Sequence, residues 1–446
     1  MKYASLISLG CSKNLVDSEE MAKQLLDAGY RMTEEAAEAD LIVVNTCGFL
    51  ESAVQEAIEA ILGAAQHKVS GKCRMLVAAG CMVQRYGKKL LNELPEVDLF
   101  LGTSHYHALG AAVESKLAGN PKRLWIGRPA RAPDAPAGRV ISTGPHSAYL
   151  KIAEGCGNSC SFCIIPNLRG PLRSRQEADV LVEAARLAAE GIKEINLIAQ
   201  DTTAFGLDRN DPEALPRLLE KLDEIRDLHW IRLLYSYPDR ITDRLLYAMT
   251  NSAKVVPYLD IPIQHCAPRI LEAMGRPADS SERIIDKIRS ILPKVALRTS
   301  IMVGFPGETR AEFKSLVAFM ERVEFDHAGV FVYSAEAGTR AARLPGRPGK
   351  KTAEGRRATL LEVQKEISGR KLKSLVGRTL PVLIEGPHPE TDLLLAGRLA
   401  TQAPEVDGGV MITAGMAEEG EIRQVIITAG HDYDLEGVIL NSPLIR

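Results

Sequence analysis

Six of the eight cysteines fall into two groups whose spacing suits metal chemistry. The first group is local: Cys156, Cys160 and Cys163 have the spacing C-x3-C-x2-C within "EGCGNSCSFC". Three thiolates this close together can surround one compact cofactor. They suit a [4Fe–4S] cluster with one iron left open, whereas a structural zinc site takes four ligands. A zinc loop that borrows Cys266 is the alternative interpretation.

The second group is dispersed along the chain but shares one structural position. Cys11, Cys47 and Cys81 each follow an apolar run, "LISLG", "LIVVNT" and "MLVAAG", that predicts a buried strand. The carboxyl ends of parallel strands lie at one sheet edge, so these thiols are expected to converge on a second iron–sulfur site. For any one of them alone, a buried inert thiol is the alternative. Cys73 precedes its strand and is expected at the opposite edge.

Hydrophobic periodicity predicts the elements that position the second group. Up to residue 130, strands alternate with helical patterns, which indicates βαβ units and a parallel sheet. Asn14 and Asp17 are expected to cap a helix that begins near Asp17. The strands are predicted at 3–9, 41–46, 74–80 and 98–102, and the helices at 17–28, 50–66 and 84–93.

A second α/β domain is predicted at 140–372, after a Pro-, Gly- and Ala-rich linker at 127–145. Its six βα repeats indicate a partial TIM-like barrel. The local cysteine group follows the first of these strands, at the sheet edge where α/β proteins build their sites. His265 and Cys266 follow another strand and are expected to serve packing. The strands are predicted at 148–153, 194–199, 230–235, 256–261, 296–303 and 328–334.

The remainder, 375–446, changes to short β-rich runs separated by Gly, Pro and Asp. This texture predicts a small antiparallel β-barrel of about five strands, similar in size to an OB-fold. The basic segment 346–376 before it has helical period and is expected to be a solvated connector. The predicted fold class is therefore α/β: an N-terminal parallel sheet domain (1–130), a central partial barrel and a C-terminal small β-barrel.

Composition excludes several classes of protein. The chain of 446 residues is 46% hydrophobic and 25% charged, with a formal net charge of −2, as in ordinary globular proteins. No apolar run is long enough to span a membrane and no signal peptide is evident, so we expect a cytoplasmic protein without a membrane partner. From Pro381 to Arg446 there are eleven acidic and three basic residues, a formal net charge of −8.

The acidic C-terminal module bears on the choice of partner. A module that grips tRNA should be basic, because phosphate contacts supply most of the affinity, and tRNA is therefore an unlikely partner. An acidic module suits a basic protein. The alternative is a solvated acidic surface that offsets the basic segment 346–376.

C-x3-C-x2-C at the start of a βα barrel resembles the radical S-adenosylmethionine (SAM) enzymes. Together with the N-terminal cysteines and the final barrel, the whole chain resembles the methylthiotransferases, whose last domain is called TRAM. "SLGCSKNLVDSE" and "DIPIQHCAPRILEAMGR" (260–276) are similar to the branch that modifies small-subunit ribosomal protein S-twelve at the β-carbon of an aspartate. The alternatives are a tRNA adenosine methylthiotransferase and a non-catalytic iron–sulfur electron carrier.

The resemblance implies two [4Fe–4S] clusters and SAM. The cluster on the local group cleaves SAM to a radical that abstracts hydrogen, and the N-terminal cluster carries the sulfur. SAM also donates the methyl group, and an external electron donor and a sulfur donor are implied.

In the family, the segment matching "RTSIMVGFPGET" (298–309) lines the adenosine part of SAM, so Arg298, Gly304, Phe305, Pro306 and Gly307 are SAM-contact candidates. A plain strand-to-helix turn is the alternative for this segment. Further candidates lie elsewhere. Gln200 and Asp201 follow another strand and could contact SAM or substrate, and Arg169, Arg173 and Arg175 could pair with carboxylates.

Overall fold

The computed structural model describes residues 2–130, 138–278 and 281–440. Its N-terminal sheet has six parallel strands in the order β2-β1-β3-β4-β5-β6, flanked by helices. The strands are β1 (Lys2–Ser8), β2 (Tyr30–Met32), β3 (Leu41–Thr46), β4 (Met75–Gly80), β5 (Leu99–Gly102) and β6 (Leu124–Trp125). The helices are α1 (Ser12–Asp27), α2 (Glu51–Ser70), α3 (Cys81–Tyr86), α4 (Leu90–Glu93) and α5 (Leu109–Leu117). The two short edge strands β2 and β6 and helix α5 were not predicted.

The start of α1 corrects the capping prediction. The helix begins at Ser12, with Cys11 as its N-cap residue, so Asn14 and Asp17 lie inside it. Both are buried, with 1% and 3% of their surface exposed, and bind neighbouring elements. Gly10, at φ +98°, turns the chain from β1 directly into the helix, a conformation that glycine adopts easily.

The central domain contains all six predicted strands in one open parallel sheet, in the order β14-β13-β12-β11-β10-β7. A separate two-stranded sheet, β8 (Ala153–Glu154) with β9 (Arg173–Ser174), follows the first strand. The main strands are β7 (Ser147–Lys151), β10 (Glu194–Ile198), β11 (Trp230–Leu233), β12 (Val255–Asp260), β13 (Ala296–Val303) and β14 (His327–Val332). The helices are α6 (Ile165–Arg169), α7 (Glu177–Ala189), α8 (Ala214–Asp223), α9 (Asp243–Asn251), α10 (Pro268–Ala273), α11 (Ser281–Ile291), α12 (Arg310–Val323) and α13 (Lys350–Lys373).

The C-terminal domain is a closed barrel in the order β15-β16-β17-β19-β18. Four of the five strand pairs are antiparallel as predicted, but β17 and β19 pair in parallel. Closure leaves no free sheet edge, which protects a small all-β module from edge pairing. The strands are β15 (Thr379–His388), β16 (Thr391–Leu399), β17 (Val410–Ala414), β18 (Ile422–Gly430) and β19 (Leu435–Ile439).

The three domains share one apolar cluster over the central sheet. Val16 of α1 and the barrel-domain residues Leu383 and Ala403 pack with Tyr149 and Tyr258 of the central strands. The predicted linker lies partly outside the described residues, at 131–137, and its described remainder contains no helix or strand. In the described part of the chain, no helix is both long and apolar enough to cross a membrane.

Candidate active site

The three dispersed cysteines lie on adjacent strands at one sheet edge. Cys11 follows β1, Cys47 follows β3 and Cys81 begins α3 directly after β4. These strands are neighbours, with Ser8 paired to Asn45 in one register and Thr46 to Gly80 in the next. The parallel sheet therefore brings together three thiols that are far apart in sequence.

Glycines allow the loops that carry these cysteines to approach closely. A Cβ on Gly10 would lie 2.9 Å from the Cβ of Cys47, and one on Gly48 would lie 2.7 Å from the carbonyl carbon of Cys81. Asn14 holds the same loops, because its Nδ2 donates to the carbonyls of Leu9 at 2.9 Å and Thr46 at 3.1 Å. The thiol of Cys81 lies 3.7 Å from Asn14 Oδ1.

Two cations act on these thiols. Cys11 is exposed as a residue, but its thiol is desolvated, which opposes its ionisation; Lys13 and Arg169, with the backbone N–H groups of Lys13 and Asn14, outweigh this effect and lower its pKa. Burial raises the pKa of Cys81 to about 12, although Arg169 acts in the opposite direction. A metal bound there would supply much of the positive charge that deprotonates Cys81.

The local cysteines line a cleft of about 140 Å³ at the carboxyl ends of the central strands, with Gln200 and Asp201 also in its wall. Cys156 is held by its N–H, which donates to the Gly170 carbonyl at 3.1 Å, and the N–H of Asn158 points at the Cys156 sulfur at 3.4 Å. The cleft therefore contains the candidates Cys156, Cys160, Cys163, Gln200 and Asp201, and its remaining lining includes Asn158, Tyr235, Ser236, Tyr237 and Arg276.

The cleft wall carries polar groups without partners. Gln200 Oε1 and Ser236 Oγ are buried and accept or donate no hydrogen bond among the described residues. Arg276 is 8% exposed and stacks on the Tyr237 ring, with 4.5 Å between its guanidinium carbon and the ring centroid. Within the described chain no carboxylate pairs with it. Such a wall fits a polar ligand with both an amino and a carboxyl group, as SAM has.

The other SAM candidates lie away from this cleft. The turn at Gly304 and Gly307 has positive φ at both glycines, and Phe305 is buried against Tyr333. A Cβ on Gly304 would lie 2.7 Å from the Cβ of Ala353 on α13. None of the four residues Gly304, Phe305, Pro306 and Gly307 lines the cleft, although Phe305 shares an apolar cluster with Phe162, which does.

The structure gives Arg298 another role than SAM binding. Its Nη1 lies 2.6 Å from Asp407 Oδ1 of the barrel domain, and its Nε lies 3.8 Å from Asp260. Arg298 is also absent from the lining of the cleft. Its charge is thus used to hold two domains together, a partnership across more than a hundred residues that strand position alone could not predict.

A buried polar chain connects the two cysteine groups. Arg169 donates to Asn14 Oδ1, and its Nη1 lies 2.8 Å from Asp17 and 3.1 Å from Glu154. Glu154 in turn accepts from Gln200 Nε2 at 2.9 Å, in the wall of the cleft. Arg169 begins in the helix after the local cysteines and ends beside the N-terminal group, so it spans the domain boundary. The expectation that it pairs with carboxylates agrees with these contacts.

The remaining cysteines and the neighbouring histidine are set apart. Cys73 is buried and its thiol points at the Met75 carbonyl at 3.4 Å, before β4 rather than after it. Cys266 lies in a different groove from the local group. His265 is fully buried, and its Nδ1 accepts from the N–H of Ala267 at 2.9 Å. The borrowing of Cys266 by a zinc loop has no support in this arrangement.

The thiols are spread more widely than the ligands of one ion. Among the described residues no three His, Cys, Asp or Glu side chains are grouped to hold a single metal ion. A four-iron cluster is larger than one ion, so its thiolate ligands stand further apart. Two sets of three sulfur donors, one lining the cleft and one following adjacent strands, fit that larger group.

Several residues of the site were not predicted from the sequence. Tyr235 ends the predicted strand 230–235 and Ser236 follows it, so the same strand-end argument that identified Gln200 could have found them. Lys13 and Arg276 carry no such signal. Lys13 becomes notable only through the distance of 3.2 Å between its Nζ and the centroid of the Tyr235 ring.

Comparisons with known proteins agree with this architecture. Family models match three segments: "Uncharacterized protein family UPF0004" at 3–102, "Radical SAM superfamily" at 150–320 and "TRAM domain" at 376–440. Among solved structures, the radical SAM methyltransferase TsrM from Kitasatospora setae is similar with a TM-score of 0.55 and 14% identity, covering 74% of this chain and 73% of TsrM. At that identity the likeness concerns the fold alone.

Curated relatives match over the full length. Ribosomal protein uS12 methylthiotransferase RimO of Syntrophobacter fumaroxidans is 60% identical over 441 residues, which cover 99% of each chain. RimO of Syntrophotalea carbinolica is 47% identical over 443 residues, covering 99% of this chain and 97% of the relative. With this identity along the whole chain, together with the two three-cysteine groups and the closed barrel, the protein belongs to the RimO family of ribosomal protein uS12 methylthiotransferases.

Proposed function

We propose that this chain is a radical SAM methylthiotransferase that adds a methylthio group to the β-carbon of an aspartate in ribosomal protein uS12. The observation that carries this proposal is the pairing of two three-cysteine groups, joined through the buried side chain of Arg169. The full-length identity to RimO supports uS12 as the substrate. The acidic barrel domain is consistent with a basic protein partner.

Each cysteine group has its own proposed role. Cys156, Cys160 and Cys163 would hold the cluster that faces SAM, and Cys11, Cys47 and Cys81 would hold a second cluster. Bound there, these clusters and SAM supply one-electron chemistry at an unactivated C–H bond and a site for sulfur. Gln200, Ser236 and Arg276 would orient the amino-acid end of SAM, since Gln200 Oε1 and Ser236 Oγ have no partner among the described residues and the Arg276 guanidinium lies in the same cleft wall.

The balance of the reaction requires further reactants. SAM supplies the methyl group, so the inserted sulfur must come from a separate sulfur donor. Reductive cleavage of SAM requires an external electron donor. Because the substrate is a ribosomal protein, we place the reaction in the cytoplasm.

The test is anaerobic reconstitution of the protein with iron and sulfide, followed by incubation with SAM, dithionite, a sulfide source and uS12. Mass spectrometry of uS12 should show one added methylthio group on an aspartate, and the protein should bind about eight iron atoms. An iron count near four atoms per protein would contradict the proposal of a second cluster. Modification of tRNA, or strong salt-sensitive tRNA binding with unmodified uS12, would favour the tRNA enzyme. Absence of SAM cleavage would favour an electron carrier.

A further inference from the structure

Lys13 is a buried cation that no carboxylate of the described residues neutralises, although the Cys11 thiol and the Tyr235 hydroxyl lie near it. Only 7% of its surface is exposed, and no carboxylate of the described residues lies within 4.0 Å of its ammonium. Lys151 is the informative contrast, because it is also buried, with 2% of its surface exposed, but lies 3.3 Å from Glu154 and also pairs with Asp17. Buried charges in proteins are normally paired, so an unpaired one indicates a place for an anionic ligand.

The position of Lys13 indicates which anionic ligand it binds. Its Nζ lies 3.2 Å from the centroid of the Tyr235 ring, and Tyr235 lines the cleft of the local cysteines. Ser12 Oγ lies 3.4 Å from the Tyr235 hydroxyl. Lys13 is also two residues from Cys11, so its side chain contacts the cleft wall while its backbone adjoins the N-terminal cysteines. If both cysteine groups act on the same substrate carbon atom, that atom has to bind near Lys13.

The backbone of Tyr235, whose ring lies under the Lys13 ammonium, is fixed by hydrogen bonds. Its φ is +60°, in the left-handed region that non-glycine residues seldom occupy. Its N–H donates to Asp260 Oδ2 at 3.1 Å, and its carbonyl accepts from the N–H of Thr202 at 3.1 Å. Backbone strain of this kind persists where the surroundings fix it, and it concentrates at functional sites.

We propose that the ammonium of Lys13 binds the side-chain carboxylate of the acidic residue that the enzyme modifies. The inference rests on the proposed function and deepens it. In an aspartate the carboxylate is bonded directly to the β-carbon, so an anchored carboxylate presents the β C–H bond at a defined place. The carboxylate of SAM has a different partner, because the cleft that holds Cys160 and Cys163 also contains Arg276, which pairs with no carboxylate of the described residues.

The experiment compares Lys13→Gln and Lys13→Arg with the wild type. Lys23→Gln, on the same helix but in a surface pair with Asp27, is the matched control. The substrates are uS12 and a uS12 variant with the modified aspartate, located by mass spectrometry, changed to Asn. Dissociation constants are measured by fluorescence anisotropy on SAM-free protein, and kcat/KM is measured on reconstituted protein.

The wild type and Lys23→Gln should bind the Asn variant of uS12 about tenfold more weakly than uS12, the scale of a lost charge-assisted hydrogen bond. Lys13→Gln should bind both substrates equally weakly, and Lys13→Arg should restore part of the preference. Equal discrimination by the wild type and Lys13→Gln would overturn the inference. A loss confined to SAM affinity would also overturn it and assign the cation to SAM. If the wild-type protein left uS12 unmodified, the proposed function would be wrong, and this inference would fail with it.

Discussion

Arg398 of the barrel domain and Glu194 of the central sheet form a buried ion pair, with 2.5 Å between Nη2 and Oε2. Arg232 approaches the same carboxylate at 2.8 Å, and Arg398 also pairs with Glu385 at 2.6 Å. The barrel therefore docks on the central sheet through a network of charges centred on Glu194, whose side chain is fully buried. Its geometry makes the stability of the domain junction directly testable.

The first prediction concerns the strength of this junction. Arg398→Met should lower the free energy of unfolding of the junction by about 3 kcal/mol, because it leaves buried carboxylates short of one cation. Urea titration followed by tryptophan fluorescence measures the change. Arg186→Met, which removes a surface pair with Glu190, is the control and should cost less than about 0.5 kcal/mol. Equal effects of the two variants would contradict the assigned role of Arg398.

The second prediction is the pH dependence of the same junction. Burial disfavours the charged form of Glu194, but Arg398 and Arg232 outweigh it and lower its pKa to about 2. A carboxyl with a lowered pKa stabilises the fold above its unfolded pKa of about 4.3, and that contribution is lost as the pH falls toward 2. The wild type should therefore lose more stability than Arg398→Met when urea titrations are repeated from pH 6 to pH 3. A gap between the two proteins that stays constant with pH would contradict this linkage.

The third prediction separates the roles of the cysteine groups. Cys11→Ala should retain reductive cleavage of SAM but lose transfer of the methylthio group to uS12, whereas Cys163→Ala should lose both. Chromatography of 5′-deoxyadenosine and mass spectrometry of uS12 measure the two steps. Cys73→Ala, at the opposite edge of the sheet, is the control and should retain both. If Cys11→Ala also abolished SAM cleavage, the two groups would not have separate roles.

The fourth prediction concerns the turn that presents Cys81. Gly80 has φ +99°, and a Cβ there would lie 2.4 Å from Asn45 Oδ1. Gly80→Ala should therefore destabilise the N-terminal domain by about 2–4 kcal/mol and lower the iron content of the reconstituted protein. Thermal unfolding and iron analysis measure these effects. Gly63→Ala, in helix α2 where a Cβ meets nothing within 4 Å, should instead be neutral or stabilising by up to about 1 kcal/mol.

Strand periodicity alone predicted most of the frame. Alternating apolar runs identified four of the six N-terminal strands and all six of the main central sheet, because burial on a sheet imposes a pattern that is local in sequence. The same logic placed Cys11, Cys47 and Cys81 at one edge, since parallel strands all end on the same side. The edge strands β2 and β6 were missed because they have only three and two residues, which is too short for an alternating hydrophobic pattern to show.

Tertiary structure decided the contacts that join distant residues. Asn14 and Asp17 looked like helix caps, but they are buried and contact Arg169, a partner about 150 residues away. Arg298 looked like a ligand of SAM, but Asp407 of the barrel domain takes its charge.

The sequence by itself determined which residues can do chemistry and at which sheet edge they stand, because residue type and strand order are local properties. Only the folded chain decided which charges neutralise one another and which do not. Ion pairing depends on distances between domains that no local pattern encodes. The ammonium of Lys13, which lies above the ring of Tyr235 and pairs with no carboxylate in the described part of the chain, is the clearest result of that second kind.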